Sequence, residues 1–217
     1  MQVDFFISVL NRALSSKTLY VMGCFGAPMT ASNKERYKNN HSYNMKAARR
    51  AMIDAASSDT FGFDCVNLIK GILWGWDGDT SKAYGGAEYK SNGVPDVSAN
   101  QMINYCGQVA NFSSRQVEKG EFVWMDGHCG IYVGDGYVIE CTPKWKNCVQ
   151  KTKLSDRVWL KHGFLPWVDY TEEPEEPVLD NTPDDWAKEA CEWCTQEGFF
   201  SGDDKGDFKW HSTVTRQ

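Results

Sequence analysis

The stretch from Thr60 to Trp76 constrains this chain more than any other. A Gly-containing approach, Phe61-Gly-Phe63, runs into Asp64, a residue type that favours the N-cap of a helix. Cys65 follows, then apolar residues at Val66, Leu68, Ile69, Ile72 and Leu73, a spacing that suits a buried helix rather than a strand. Cys65 therefore falls in the first helical turn. Unpaired N–H groups and the helix dipole stabilise a thiolate there, and the neighbouring Asp64 charge opposes them. Most free cysteines in helices are small apolar core residues, so position alone does not make a nucleophile. A base is required.

The chain holds four histidines. His41 lies in a polar stretch and His211 near the end, while His162 precedes a glycine in a late strand and is the second candidate base. His128 opens Gly127-His-Cys-Gly-Ile-Tyr-Val-Gly-Asp-Gly-Tyr-Val-Ile-Glu140, which reads as strand, glycine turn and strand. A helix-borne Cys facing a strand-borne His is what a thiol nucleophile needs. The imidazole takes the proton, and a third polar group fixes its tautomer.

Around this pair the chain is organised in three parts. Residues 1–170 carry sixteen acids and nineteen bases, residues 171–185 seven acids and no base, and residues 186–217 six acids and four bases. The overall charge of −6 thus hides a main domain of net +3, which suits an anionic polymer and is too weak to argue for nucleic acid. No stretch approaches membrane-spanning length. The opening, Met1-Gln-Val-Asp4, lacks a basic n-region and reads as an amphipathic first helix rather than a signal peptide, so cytoplasmic synthesis is expected. Eight scattered cysteines suggest reduced thiols.

Further expectations follow from periodicity. Residues 31–59 read as a loop and then a helix with Met45, Ala48, Met52 and Ala55 on one face, and Val97–Val109 as a helix capped by Asp96 or Ser98. From Glu121 the pattern turns to strands, namely Glu121–Met125, His128–Val133, Tyr137–Thr142, Val149–Leu154 and Val158–Leu165. Helices first and strands second argue for an α+β domain. Residues 171–183 read as an acidic, Pro-rich linker, and Trp186–Gly198 as one amphipathic helix stopped by glycine.

Tyr20-Val-Met-Gly23, Phe63-Asp-Cys65 and Gly127-His-x-Gly-Ile-Tyr-Val-Gly-x-Gly136, with a polar residue twelve after the His, together resemble the NlpC-type papain-like cell-wall peptidases over residues 1–168. The resemblance implies a papain-like core of helices packed on an antiparallel sheet. It also implies Cys65 as nucleophile, His128 as base, Glu140 as its orienter and Tyr20 beside the thiolate, with no metal or cofactor. Departures are Val66 where Ser usually follows the Cys, Cys24 in place of a second glycine, the long insertion between Tyr20 and Cys65, and Glu140 in place of a His. The implied activity is that of a phage-lysin-type peptidoglycan endopeptidase, cutting between D-glutamate and a diamino acid. Rivals are an N-acetylmuramoyl-L-alanine amidase, an acyltransferase on the same scaffold and a non-catalytic wall-binding protein.

The end of the chain, with Trp186-Ala-Lys-Glu-Ala190, Gly198-Phe-Phe-Ser-Gly202, Asp207-Phe208 and Thr215-Arg216, resembles part of an S-layer-homology repeat. That implies a small helical segment binding a secondary cell-wall polymer. Asp203, Asp204 and Asp207 lack the spacing of a calcium loop, and the single Cys191/Cys194 pair does not argue for zinc.

The 128–142 hairpin makes the sharpest expectation. With a two-residue Asp135-Gly136 turn, His128 and Glu140 would point to opposite faces. With a three-residue Gly134-Asp135-Gly136 loop, Gly130 lies opposite Glu140 and the two share a face as diagonal neighbours. The apolar pattern selects the second register. Cys129, Ile131, Val133, Tyr137, Ile139 and Cys141 then face the core, with Cys129 and Cys141 as cross-strand neighbours, and the opposite face lines the cleft.

Overall fold

The computed structural model describes residues 1–171, 181–204 and 206–211. Most of the expected 171–183 linker, and Thr215-Arg216 of the expected wall-binding segment, lie outside these residues. The chain forms two compact units, Met1–Tyr170 and Thr171–Gln217.

The first unit is α+β. Helix α1 (Val3–Ser15) turns Phe6, Val9, Leu10 and Ala13 inward, the three- and four-residue spacing of one buried face. Strands β1 (Thr18–Tyr20), β2 (Phe25–Pro28) and β3 (Phe61–Phe63) form a small sheet in the order β1-β3-β2, with β1 and β3 parallel. Helix α4 (Cys65–Leu73) leaves β3 directly and is buried along its whole length. Its Gly71 lets it approach β2, since a Cβ there would lie 2.6 Å from the Phe25 carbonyl oxygen.

The insertion between β2 and β3 folds as two helices, α2 (Ala31–Asn39) and α3 (Ala47–Ala55), where a loop and one helix were expected. The polar run of α2 has little apolar periodicity to reveal it. Its start is fixed by Thr30, whose hydroxyl accepts from the Asn33 N–H at 3.3 Å. The face of α3 also differs from expectation. Met45 and Met52 are exposed, and α3 buries Arg49 and Ile53. Ile53 joins Val21, Ala27, Met29 and Tyr37 in a separate small core.

The expected 97–109 helix is one turn, α5 (Ala99–Met102), closed by a capping box between Ser98 and Gln101. The chain then becomes β4 (Gly107–Asn111), an exposed edge strand. Its partner β9 (Lys161–Phe164) lies fifty or more residues away, so local periodicity carries no trace of the pairing. Strands β5 (Phe122–Met125), β6 (His128–Gly134), β7 (Tyr137–Thr142) and β8 (Cys148–Lys153) complete an antiparallel sheet in the order β4-β9-β5-β6-β7-β8.

In the β6–β7 hairpin Ile131 pairs with Ile139 and Tyr132 with Val138, the register the apolar pattern selects. The tip differs. Gly134 pairs with Tyr137, leaving a two-residue Asp135-Gly136 turn, and the extra residue is absorbed as an irregularity between Tyr132 and Gly134. Asp135 (φ 53°) and Gly136 (φ 77°) both take the left-handed conformation that the tight hairpin turn requires. Cys129, Ile131, Ile139 and Cys141 are fully buried against α4, in the main core to which α1 also contributes. The opposite face is not an open cleft, as expected, but a second core, where Tyr132 and Val138 pack with Val117, Val123 and Trp159.

In the second unit α6 (Lys188–Gln196) ends before Gly198, which has a φ of 75°. Trp186, Trp193, Phe199 and Phe200 are exposed. No helix among the described residues is long and apolar enough to cross a membrane.

Candidate active site

Asp64 caps α4 and does more than start it. Its Oδ1 accepts from the Asn67 N–H at 2.8 Å, and its Oδ2 accepts from the Gly23 N–H at 2.8 Å and the Asn67 side-chain amide at 2.7 Å. The cap thereby ties the β1–β2 turn to the helix start. Burial first, and the charge of Cys65 second, push the Asp64 carboxyl up to about 7 against these hydrogen bonds. The negative charge expected to oppose a thiolate is therefore diminished toward neutral pH.

Cys65, 8% exposed, sits at the head of α4 in a cleft of about 390 Å³ lined by Tyr20, Met22, Val66, Ser98 and Gly127 among others. Its pKa is drawn well below the ordinary thiol value. The Cys129 thiol contributes most by hydrogen-bonding the sulfur, against the effect of burial; His128, by hydrogen bond and charge, and the Val66 N–H add to it. Cys129 moves the other way, because burial in the core face of β6 disfavours its charge. The anion belongs on Cys65, which alone of the two borders the cleft and the imidazole.

His128 stands at the first position of β6, and its Nε2 lies 2.5 Å from Glu140 Oε2. This leaves Nδ1 as the ring nitrogen for the Cys65 sulfur, whose interaction with the ring favours the imidazolium. Burial disfavours the imidazolium, yet Cys65 and Glu140 outweigh it and raise the His128 pKa. The Trp159 ring lies nearly parallel to the imidazole, with centroids 5.8 Å apart. Cys65, His128 and Glu140 are thus brought into one connected chain, with the thiol and the carboxylate bridged by the imidazole.

Glu140 is fully buried and held on every side. Thr152 Oγ1 donates to Oε1 at 2.7 Å, Arg157 Nε donates to Oε1 at 3.0 Å, and Arg157 Nη2 lies 2.7 Å from Oε2. Although burial alone would raise its pKa, His128, Arg157 and Thr152 hold it below the usual carboxylate value. A buried carboxylate persists as an anion when paired and hydrogen-bonded in this way. Thr152, Arg157 and Cys129 escape a sequence reading. The first two contact Glu140 from β8 and the loop after it, and Cys129 carries only the signal of an inward-facing strand position.

Tyr20 lines the same cleft, its hydroxyl 4.0 Å from Met22 Sδ. Burial, and then the Cys65 charge, raise its pKa, so it stays a neutral donor. Arg49 fixes it from behind, bonding its carbonyl and placing the guanidinium 5.7 Å from the ring centroid. The other histidines have other partners. His162 is buried between Glu121, 2.8 Å from Nδ1, and the Arg115 carbonyl. The Nδ1 of His41 accepts from the Tyr43 N–H. His211 lies in the second unit, 3.2 Å from Asp184. No group of His, Cys, Asp and Glu among the described residues is arranged to hold a metal ion.

No protein-family model matches the sequence, and no curated protein matches it. Among solved structures, the chain is similar to RipD of Mycobacterium tuberculosis, described as a non-catalytic NlpC/p60 domain protein adapted to peptidoglycan binding. Identity is 18%, the match covers 74% of this chain and 96% of that one, and the TM-score is 0.39. The P60 domain of antigen MAP1204 from M. avium subspecies paratuberculosis gives 18% identity, 75% and 93% coverage and a TM-score of 0.41. The peptidoglycan hydrolase RipB of M. tuberculosis gives 16%, 70% and 57%, and 0.39. The chemistry assigned to this chain rests on the arrangement around Cys65.

Proposed function

We propose that this protein is a peptidoglycan hydrolase that cuts an amide bond of the stem peptide by Cys/His/Glu nucleophilic catalysis. The observation that carries the reading is the continuous Cys65–His128–Glu140 chain at the head of α4, opening on a cleft. In the resting pair Cys65 is a thiolate and His128 an imidazolium. The sulfur attacks the scissile carbonyl, and the negative charge moves to its oxygen, within reach of the Cys65 N–H at the helix start and the Tyr20 hydroxyl. Collapse of that intermediate breaks the C–N bond as His128 protonates the leaving amine, leaving a thioester on Cys65. Water, deprotonated by His128, then hydrolyses the thioester and restores the pair.

The resemblance of the sequence motifs favours the bond between D-glutamate and the diamino acid. The exposed aromatic side chains of the second unit fit a wall-polymer-binding role, and the cell wall is the proposed place of action, after release in the manner of a phage lysin.

Mass spectrometry of peptidoglycan digested by the full chain tests the proposal. The expected product carries a new amino terminus on the diamino acid. Release of intact stem peptide from muramic acid would make the protein an amidase, and the absence of any new amine would remove the hydrolase reading.

A further inference from the structure

Beside the Cys65 cleft lies a second hollow of about 410 Å³, bordered by Phe25, Arg36, Tyr84, Tyr89, Asn67 and Asp96. Asn67 and Asp96 border both hollows, so they share a wall. The floor is aromatic, with the Phe25 and Tyr84 rings stacked at 4.4 Å and Tyr89 5.8 Å from Phe25. Arg36 comes from α2, inside the insertion, and is steered over the hollow by its neighbours. Its Nη1 donates to the Tyr84 hydroxyl at 2.5 Å, and its guanidinium lies 5.4 Å and 5.6 Å from the Tyr37 and Tyr84 ring centroids.

The charges in the hollow are unequal. The Asp96 carboxylate is already engaged by the buried Lys70 ammonium and, at 2.8 Å, by the Tyr89 hydroxyl. Arg36 forms no ion pair among the described residues and keeps donors free. A guanidinium over an aromatic floor, with the local carboxylate neutralised, suits a carboxylate carried on an apolar body.

We infer that this hollow is the subsite for a free carboxylate of the stem peptide adjoining the cut bond, and that Arg36 is its specificity-determining residue. The inference rests on the hydrolase reading for its substrate, but binding can be measured apart from cleavage. The discriminating pair is two synthetic stem peptides identical except that the carboxylate beside the scissile bond is free in one and a carboxamide in the other.

In the full-length protein, kcat/KM should favour the free acid by at least about tenfold, the effect of one charge-assisted contact. The Kd measured by calorimetry with the Cys65→Ala protein should show the same preference. Arg36→Gln should bring both ratios near one, and Arg36→Lys should retain part of the preference. Tyr84→Phe, which removes the bond that steers the guanidinium, should lower the ratios less. Binding preference without cleavage of either peptide would end the hydrolase reading and leave this one standing. Cleavage with equal use of both peptides, a preference that survives Arg36→Gln, or binding of neither peptide would overturn the assignment.

Discussion

The proposed reactivity of Cys65 depends on a few donors around one sulfur, and each is open to a single substitution. Cys65→Ala should abolish cleavage while shifting the unfolding free energy by no more than about 1–2 kcal/mol, because one small side chain replaces another at a helix start. Cleavage by the purified variant would place the nucleophile elsewhere. The thiolate–imidazolium pair exists between the lowered pKa of Cys65 and the raised pKa of His128, so kcat/KM should be bell-shaped, with limbs belonging to the pair. Cys129 donates to the anion, and losing a donor to a charged form favours the neutral one. Cys129→Ala should therefore move the acid limb to higher pH, and an unmoved limb would show that the second thiol is only packing. For Glu140 the folded pKa is depressed. Its contribution to stability is present above the unfolded value and is lost as pH falls through the folded one.

At the scale of elements, the β6–β7 hairpin sets the distance between His128 and Glu140, and Gly130 marks how tightly. A Cβ at Gly130 would lie 2.5 Å from Val138 Cγ1, 3.1 Å from the Ile139 carbonyl oxygen and 3.3 Å from Glu140 Cβ. Gly130→Val should push β7 away and lower kcat by a larger factor than it raises KM, and steady-state kinetics beside a melting curve would separate this from unfolding. Arg157→Gln should leave a buried carboxylate under-paired, at a cost of about 3 kcal/mol or more, read from denaturant unfolding; a stability equal to wild type would show Arg157 to be dispensable to Glu140. Much of this site was legible in the sequence because its determinants are short-ranged. The Asp64 cap acts over three residues, and the alternation of Cys129, Ile131, Ile139 and Cys141 fixes the register across one turn. What escaped is long-ranged or unpatterned. Thr152 and Arg157 meet Glu140 through the β7–β8 pairing and the return of the chain after β8. The α2 helix lacks an apolar stripe, and β4 presents an exposed run, Gly107–Asn111, whose strand identity comes from β9.

For the whole molecule, the two-unit division makes a truncation the direct test. A protein ending at Tyr170 should melt cooperatively and cleave soluble stem peptides as the full chain does, because the core clusters that build the site are made of residues before 171. Precipitation, or a broad non-cooperative melt, would make the later residues part of that core. The cut should not fall earlier. The Val3 N–H donates to the Asp169 carbonyl, the Asp169 N–H donates to the Met1 carbonyl, the terminal amine donates to the Trp167 carbonyl, and Gln2 bridges Asp169. The two ends of this unit are thus clasped side by side, which makes it a ring in all but covalent connection. Tyr170 could be joined to Met1 through a short flexible segment and new termini opened at the exposed Lys144–Trp145 turn. Such a circular permutant keeps every strand pairing and still carries Cys65, His128 and Glu140 in their present order around the loop.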